Sequence, residues 1–186
     1  SETAARVAAR VSGDSTVAYG WAFSMAAEAA CGCSVPPRAQ WLRALALERE
    51  RVANHLGDLG ALGNDAGFAF GLAQFSRLKE DWLRANAAIF GHRYAMDWVL
   101  PGGVREDVAA PALERIAQQC AAIEREVAQL RAIYDEHAGL QDRFRGAGCI
   151  QPELAARLGL TGLAGRASGQ AQDLRADLSP TPYDVL

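Results

Sequence analysis

The sequence predicts a mainly α fold: a helical bundle of about four long helices with a small irregular or short-stranded C-terminal part. Three observations carry this. Apolar side chains recur seven apart in two parallel rows, Leu113, Cys120, Val127, Tyr134 and Ile116, Ile123, Leu130, His137, the pattern of a helix seated in an a/d seam. Hydrophobic residues make up 50% of the chain, with alanine abundant among them, and 22% is charged, a globular balance tilted towards helix. Proline and glycine fall between the periodic segments, at Pro36-Pro37, Pro101-Gly102-Gly103 and Pro111, where they stop or start helices. At 186 residues a single domain is the economical expectation, with the bundle over about 15–138 and the irregular appendage over about 139–186.

Taken in order, Glu2 to Arg10 is helix-permissive but short. Ser12-Gly13-Asp14-Ser15 is turn chemistry, and Asp14 or Ser15 is suited to cap a helix over about 15–30 carrying Val17, Trp21, Met25 and Glu28. Gly32 ends it and Pro36-Pro37 opens a second helix running to about Gly60, with Gly60, Gly63 and Gly67 loosening the path. A third helical region covers roughly 68–99, with Gly91 as an interruption, and the fourth starts at Pro111. After Gly139, only Pro152 to Leu158 reads as helix; the rest reads as loops and short strands.

The net charge of −3 and pI near 5.6 leave no basic footprint for nucleic acid. The longest charge-free run, Ser15 to Ala27, is too short and polar to span a bilayer. The N-terminus lacks the basic and apolar blocks of a signal peptide, and the chain has no initiator Met, so it reads as a piece of something longer. Cys31-Gly32-Cys33, Cys120 and Cys149 have neither a disulfide framework's density nor zinc or iron–sulfur spacing, and are expected to be reduced, partly buried thiols.

The second helix is the informative one. Its rows Leu45, Val52, Leu59 and Trp41, Glu48, His55, Leu62 are both seven apart, which places Glu48 between Leu45 and Val52. Arg51 and His55 follow a turn apart. Charged and imidazole groups in or beside a buried seam are costly unless paired. The row is therefore either a structural ion network or the wall of a site. Ser12, Asp14 and Ser15 are either an N-cap cluster or part of a cavity wall.

In order, the pieces Val35-Pro36-Pro37-Arg38-Ala39, Leu47-Glu48-Arg49-Glu50-Arg51-Val52-Ala53-Asn54-His55-Leu56-Gly57-Asp58-Leu59-Gly60, Gln74-Phe75-Ser76-Arg77, Arg93, Pro101-Gly102-Gly103-Val104 and Arg166-Ala167-Ser168-Gly169 resemble a known family. It is the large subunit of group 4, formate-hydrogenlyase-type [NiFe]-hydrogenases and its complex I homologue, the 49 kDa subunit of NADH-quinone oxidoreductase. The resemblance covers nearly the whole chain from Arg10 and implies a fragment of a longer large subunit. In true [NiFe] enzymes the segment before the first long helix supplies Cys-Gly-x-Cys to nickel; here it reads Ser12-Gly13-Asp14-Ser15, and the histidine that often follows is Tyr19. Hydroxyls are poor ligands for metals that need thiolate, so the resemblance implies a lost nickel site.

In complex I homologues the emptied cavity resembles a quinone pocket. The tyrosine they place here falls at Gly13, but Asp65 matches the aspartate that pairs with a catalytic histidine lying upstream of residue 1. The resemblance thus implies quinone- or NAD(P)H-linked electron transfer, with Asp65, His55 and Glu48 as proton-side groups and Asp14 and Tyr19 against a quinone head group. Arg166 and Arg175 are either plain turn residues or face a partner's iron–sulfur cluster. No cofactor is expected on the fragment itself. The implied partners are an iron–sulfur small subunit and membrane subunits, with the complex peripheral to the cytoplasmic face of the cell membrane. A genuine [NiFe]-hydrogenase and a non-catalytic scaffold paralogue are the alternatives.

Overall fold

The computed structural model describes residues 2–178 and 180–185. Helices α1 (Glu2–Ala8), α2 (Thr16–Cys31), α3 (Pro37–Asp65) and α4 (Ala69–Phe90) are followed by a hairpin, β1 (Val99–Leu100) and β2 (Gly103–Val104). Then come α5 (Ala110–Glu136), α6 (Ala138–Phe144), α7 (Pro152–Leu158), α8 (Gly162–Ala167), α9 (Leu174–Asp177) and a 3₁₀ turn over Tyr183–Val185. The fold is mainly α. It divides into two compact units, Ser1–Leu140 and Gln141–Leu186.

In the first unit α2 to α5 run alternately up and down. Val17 meets Glu50 while Glu28 meets Arg43, so α2 and α3 are antiparallel. Arg49 lies on Trp82 and Gly60 on Phe75, so α3 and α4 are antiparallel too. Phe75 meets Tyr134 while Asp81 meets Gln119, which sets α5 against α4 the same way. The α3–α4 interface is the largest; Phe75, Leu78, Trp82, Leu83 and Phe90 are buried along α4, each worth roughly 1.5–3 kcal/mol.

The register of α3 differs from the sequence expectation. Its inward rows are Ala39, Ala46, Ala53, Gly60 and Leu42, Arg49, Leu56, Gly63, while Leu45, Val52 and Leu59 are half-buried flanks. Small residues let α3 approach its neighbours closely, so alanine and glycine take the centre and the larger aliphatics the rim. The helix also continues past Gly60 to Asp65. Gly63 and Gly71 face the Tyr134 ring, whose hydroxyl donates to Leu59 O at 2.9 Å, and a Cβ at either glycine would collide with it. Gly67, with φ +82°, ends the path. Of the four charged side chains buried among the described residues, Glu28, Arg43, Arg49 and Glu50, the first two satisfy one another. Arg43 donates to both oxygens of Glu28 and to the carbonyls of Leu100 and Gly103, and Gly102 N–H donates to Glu28, which pins the hairpin to the bundle. Burial pushes the Glu28 carboxyl up, but the hydrogen bonds from Arg43 and Gly102 outweigh it and hold it below the usual range.

On α5 the seam is Ile116, Ile123, Leu130 and Tyr134; Cys120 is exposed and His137 is the exposed C-cap residue. All four cysteines are free and exposed rather than partly buried. On α2, Met25 is exposed and Ser24 takes the inward position, its hydroxyl spent on Gly20 O at 2.8 Å.

The second unit contains no strand among its described residues; the segments expected as loops or strands form the short helices α8 and α9. Gln170 donates to Pro152 O at 2.9 Å, and Ala155 is fully buried. Among the described residues the strands lie instead at the hairpin after α4.

Candidate functional site

The N-terminus of α2 gathers the chemistry. Its first turn presents free backbone N–H groups and a partial positive charge, and neither Ser15, at the N-cap position, nor any other local side chain caps it. The cap comes from α3. Glu50, 5% exposed, accepts from Val17 N–H at 2.6 Å and Ala18 N–H at 3.0 Å. Both described bonds to this carboxylate are from backbone, not from a cation. Burial raises the Glu50 carboxyl to about 7; the two N–H groups restrain the rise, the Asp14 charge adds to it and Arg51 opposes it.

In front of Glu50 lies the loop 12–15. Ser12 Oγ donates to Asp14 Oδ1 at 2.7 Å, and Ser15 Oγ approaches the same oxygen at 3.5 Å. The Ser12 hydrogen bond holds the Asp14 carboxyl below its usual range, against partial burial and helped by the Lys79 charge. Asn54, one turn beyond Glu50, donates to Asp14 O at 3.0 Å and ties the loop to α3. Its Oδ1 is buried without a partner. Two seryl hydroxyls sharing one carboxylate oxygen form a hard-oxygen cluster, the wrong donor set for a thiolate-bound metal. Among the described residues no group of three His, Cys, Asp or Glu is placed to hold a metal ion.

Of the residues singled out from sequence, Asp14 and Tyr19 lie at this site, Asp14 in the loop and Tyr19 on the first turns of α2, 43% exposed. Glu48 and Arg51 do pair, at 3.1 Å, but as a half-exposed ion pair on the flank of α3 rather than in its seam. His55 is exposed, and Asp65 is the exposed last residue of α3, about 15 Å farther along the helix by its rise per residue. The three proposed proton-side groups therefore do not converge within this chain. In the second unit Arg175 grips Asp173 with bonds of 3.0 and 2.6 Å, and exposed Arg166 approaches the same carboxylate at 3.8 Å. The Asp173 carboxyl is consequently held far below its usual range, the Arg175 hydrogen bonds being the main cause.

Sequence inspection missed Glu50, Asn54 and the buried Arg49. Arg49 lies 3.8 Å over the Trp82 ring, donates to Asn86 and Gln119, and is lowered to about 10 by burial. The available signal was that Glu50 and Asn54 sit four apart, on one helix face and away from the Leu45, Val52, Leu59 row.

The chain is 34% identical to formate hydrogenlyase subunit 5 of Escherichia coli over 95% of its own length and 31% of that protein's. It is 32% identical to NADH-quinone oxidoreductase subunit 4 of Thermus thermophilus, over 90% of this chain and 41% of that one. It is 30% identical to the carbon monoxide-induced hydrogenase of Rhodospirillum rubrum, over 88% and 46% respectively. The chain thus spans less than half the length of these curated relatives. Its fold superposes on a chain of the membrane-bound sulfane sulfur reductase, an archaeal respiratory membrane complex, with a TM-score of 0.93 at 25% identity, covering 100% of this chain and 50% of that one. The profile described as "Respiratory-chain NADH dehydrogenase, 49 Kd subunit" matches residues 65–186. The chain therefore belongs to the family of the 49 kDa subunit of respiratory-chain NADH dehydrogenase, whose relatives include hydrogenase large subunits.

Proposed function

We propose that the chain is the nickel-free large-subunit core of a membrane-associated, complex I-like oxidoreductase, passing electrons to a quinone or taking part in NAD(P)H-linked chemistry. The observation that supports this is the loop 12–15, the segment that resembles the family's cysteine turn, where the hydroxyls of Ser12 and Ser15 are spent on Asp14. Electrons arrive from an iron–sulfur cluster held by a partner subunit. Asp14 and Tyr19 border the quinone head group at the N-terminus of α2. Asp65 pairs with a histidine outside this sequence, and His55 and Glu48 lie on the proton side of α3. Arg166 and Arg175, sharing Asp173, face the iron–sulfur subunit with one net positive charge between them.

Partner subunits are also suggested by α2 itself. Its only charge, Glu28, is turned inward, and Tyr19, Ala22, Met25 and Ala26 are exposed; a helix without charge all round is ordinarily covered. No described helix is long and apolar enough to cross a membrane, which suits a peripheral position on the cytoplasmic face of membrane subunits. The test is reduction of a water-soluble quinone analogue by the assembled complex, comparing wild type with Asp14→Asn and Asp65→Asn. Both variants should slow turnover at least tenfold; a rate unchanged in both would identify a scaffold that only holds the complex together.

A further inference from the structure

The buried half of the site holds two groups whose needs match. A carboxylate buried without a cation is stabilised here by two backbone N–H groups. A neutral carboxyl needs an acceptor for its O–H. Asn54 provides one. It lies four residues along the same helix from Glu50, hence on the same face one turn away, and its Oδ1 is buried with no partner. The orientation of that amide is fixed by its N–H₂ group, which donates to Asp14 O. An orphaned buried acceptor beside a buried acid calls for an explanation. We infer that Glu50 is a proton-binding site that holds its proton against Asn54 Oδ1, exchanging it with changes of charge in the loop 12–15.

The surroundings set the direction. Asp14 faces Glu50 from the loop and favours the protonated form; Arg51 on α3 opposes it, and Lys79 on α4 reaches it only through its attraction for Asp14. The first turn of α2 contributes backbone dipoles and no charge. Negative charge added to the loop draws a proton from solvent onto a Glu50 oxygen, forming one O–H bond. That oxygen becomes a poor acceptor, so one of the bonds to Val17 and Ala18 weakens. Proton uptake is thereby linked to the grip on α2's first turn. The inference shares its location with the proposed quinone-side site but does not depend on any electron acceptor.

Infrared spectroscopy of the intact chain, with ¹³C-labelled glutamate, reads the proton directly. A protonated carboxyl C=O band should be present at pH 5.5, vanish with a midpoint near 7 and be absent throughout in Glu50→Gln. Asn54→Leu should lower the midpoint by about one pH unit, the equivalent of one net hydrogen bond, and Asp14→Asn should lower it too. Glu124→Gln, on the exposed face of α5, should leave the band in place and serves as the folded control. If no glutamate band titrates above pH 6, or if the band survives Glu50→Gln, the inference is overturned. If it titrates as expected while the quinone analogue is not reduced, the proton site stands and the proposed electron transfer falls.

Discussion

Substituting Glu50 should change how stability depends on pH, and in a direction opposite to that of most carboxylates. Its carboxyl is raised from 4.5 to about 7 in the folded chain, so between these values the native state binds more protons than the unfolded one. Stability contributed at this position is therefore greatest below pH 4.5, falls as pH rises to about 7, and is level above it. At about 1.4 kcal/mol per pH unit the total is about 3 kcal/mol. Glutamine cannot ionise, although its amide leaves one of the two N–H groups on α2 without an acceptor. Urea denaturation of wild type and Glu50→Gln at intervals from pH 4 to 8.5 isolates the effect, because titrating groups not coupled to Glu50 cancel in the difference. The wild type should lose about 3 kcal/mol relative to the variant across that range. A difference constant with pH would refute a buried, proton-binding Glu50; a difference that grew with pH in favour of wild type would show instead an ion pair.

Breaking the buried pair by Glu28→Gln or Arg43→Met should each cost about 3–5 kcal/mol in chemical denaturation, since either leaves a desolvated charge or an unheld hairpin. The double variant should cost less than the two singles combined, as a double-mutant cycle would report. Tyr134→Phe should cost about 1 kcal/mol for the bond to Leu59 O. Gly63→Ala should cost about 1–3 kcal/mol by overpacking against the Tyr134 ring, and most of that cost should disappear when Gly63→Ala is combined with Tyr134→Leu, which removes the hydroxyl.

The sequence was readable where large side chains or special backbone positions mark the pattern. Prolines at the starts of α3, α5 and α7 and the left-handed glycines 32, 91 and 159 fall at helix boundaries, and Ile116, Ile123 and Leu130 form the α5 seam as their spacing suggests. The register of α3 was hidden because its inward rows are alanine, glycine and arginine. Periodicity in bulky residues therefore pointed one row away. The same error placed Glu48 and His55 in or beside the seam and gave Glu50 no role. No local pattern could correct it, because Glu50 is satisfied by backbone groups more than 30 residues away. That the loop 12–15 resembles the family's cysteine segment with serines in place was a reading of the family pattern alone; that both hydroxyls approach Asp14 could not be read from sequence.

In the proposed function the segment that resembles the family's metal-binding turn, at the head of α2, is a hydroxyl–carboxylate cluster. Elemental analysis of the intact polypeptide, purified in its assembled complex, tests this most directly. No stoichiometric nickel is expected, with iron present only in proportion to partner-subunit clusters. One nickel per chain, lost on replacing Ser12 and Ser15 by alanine, would contradict it.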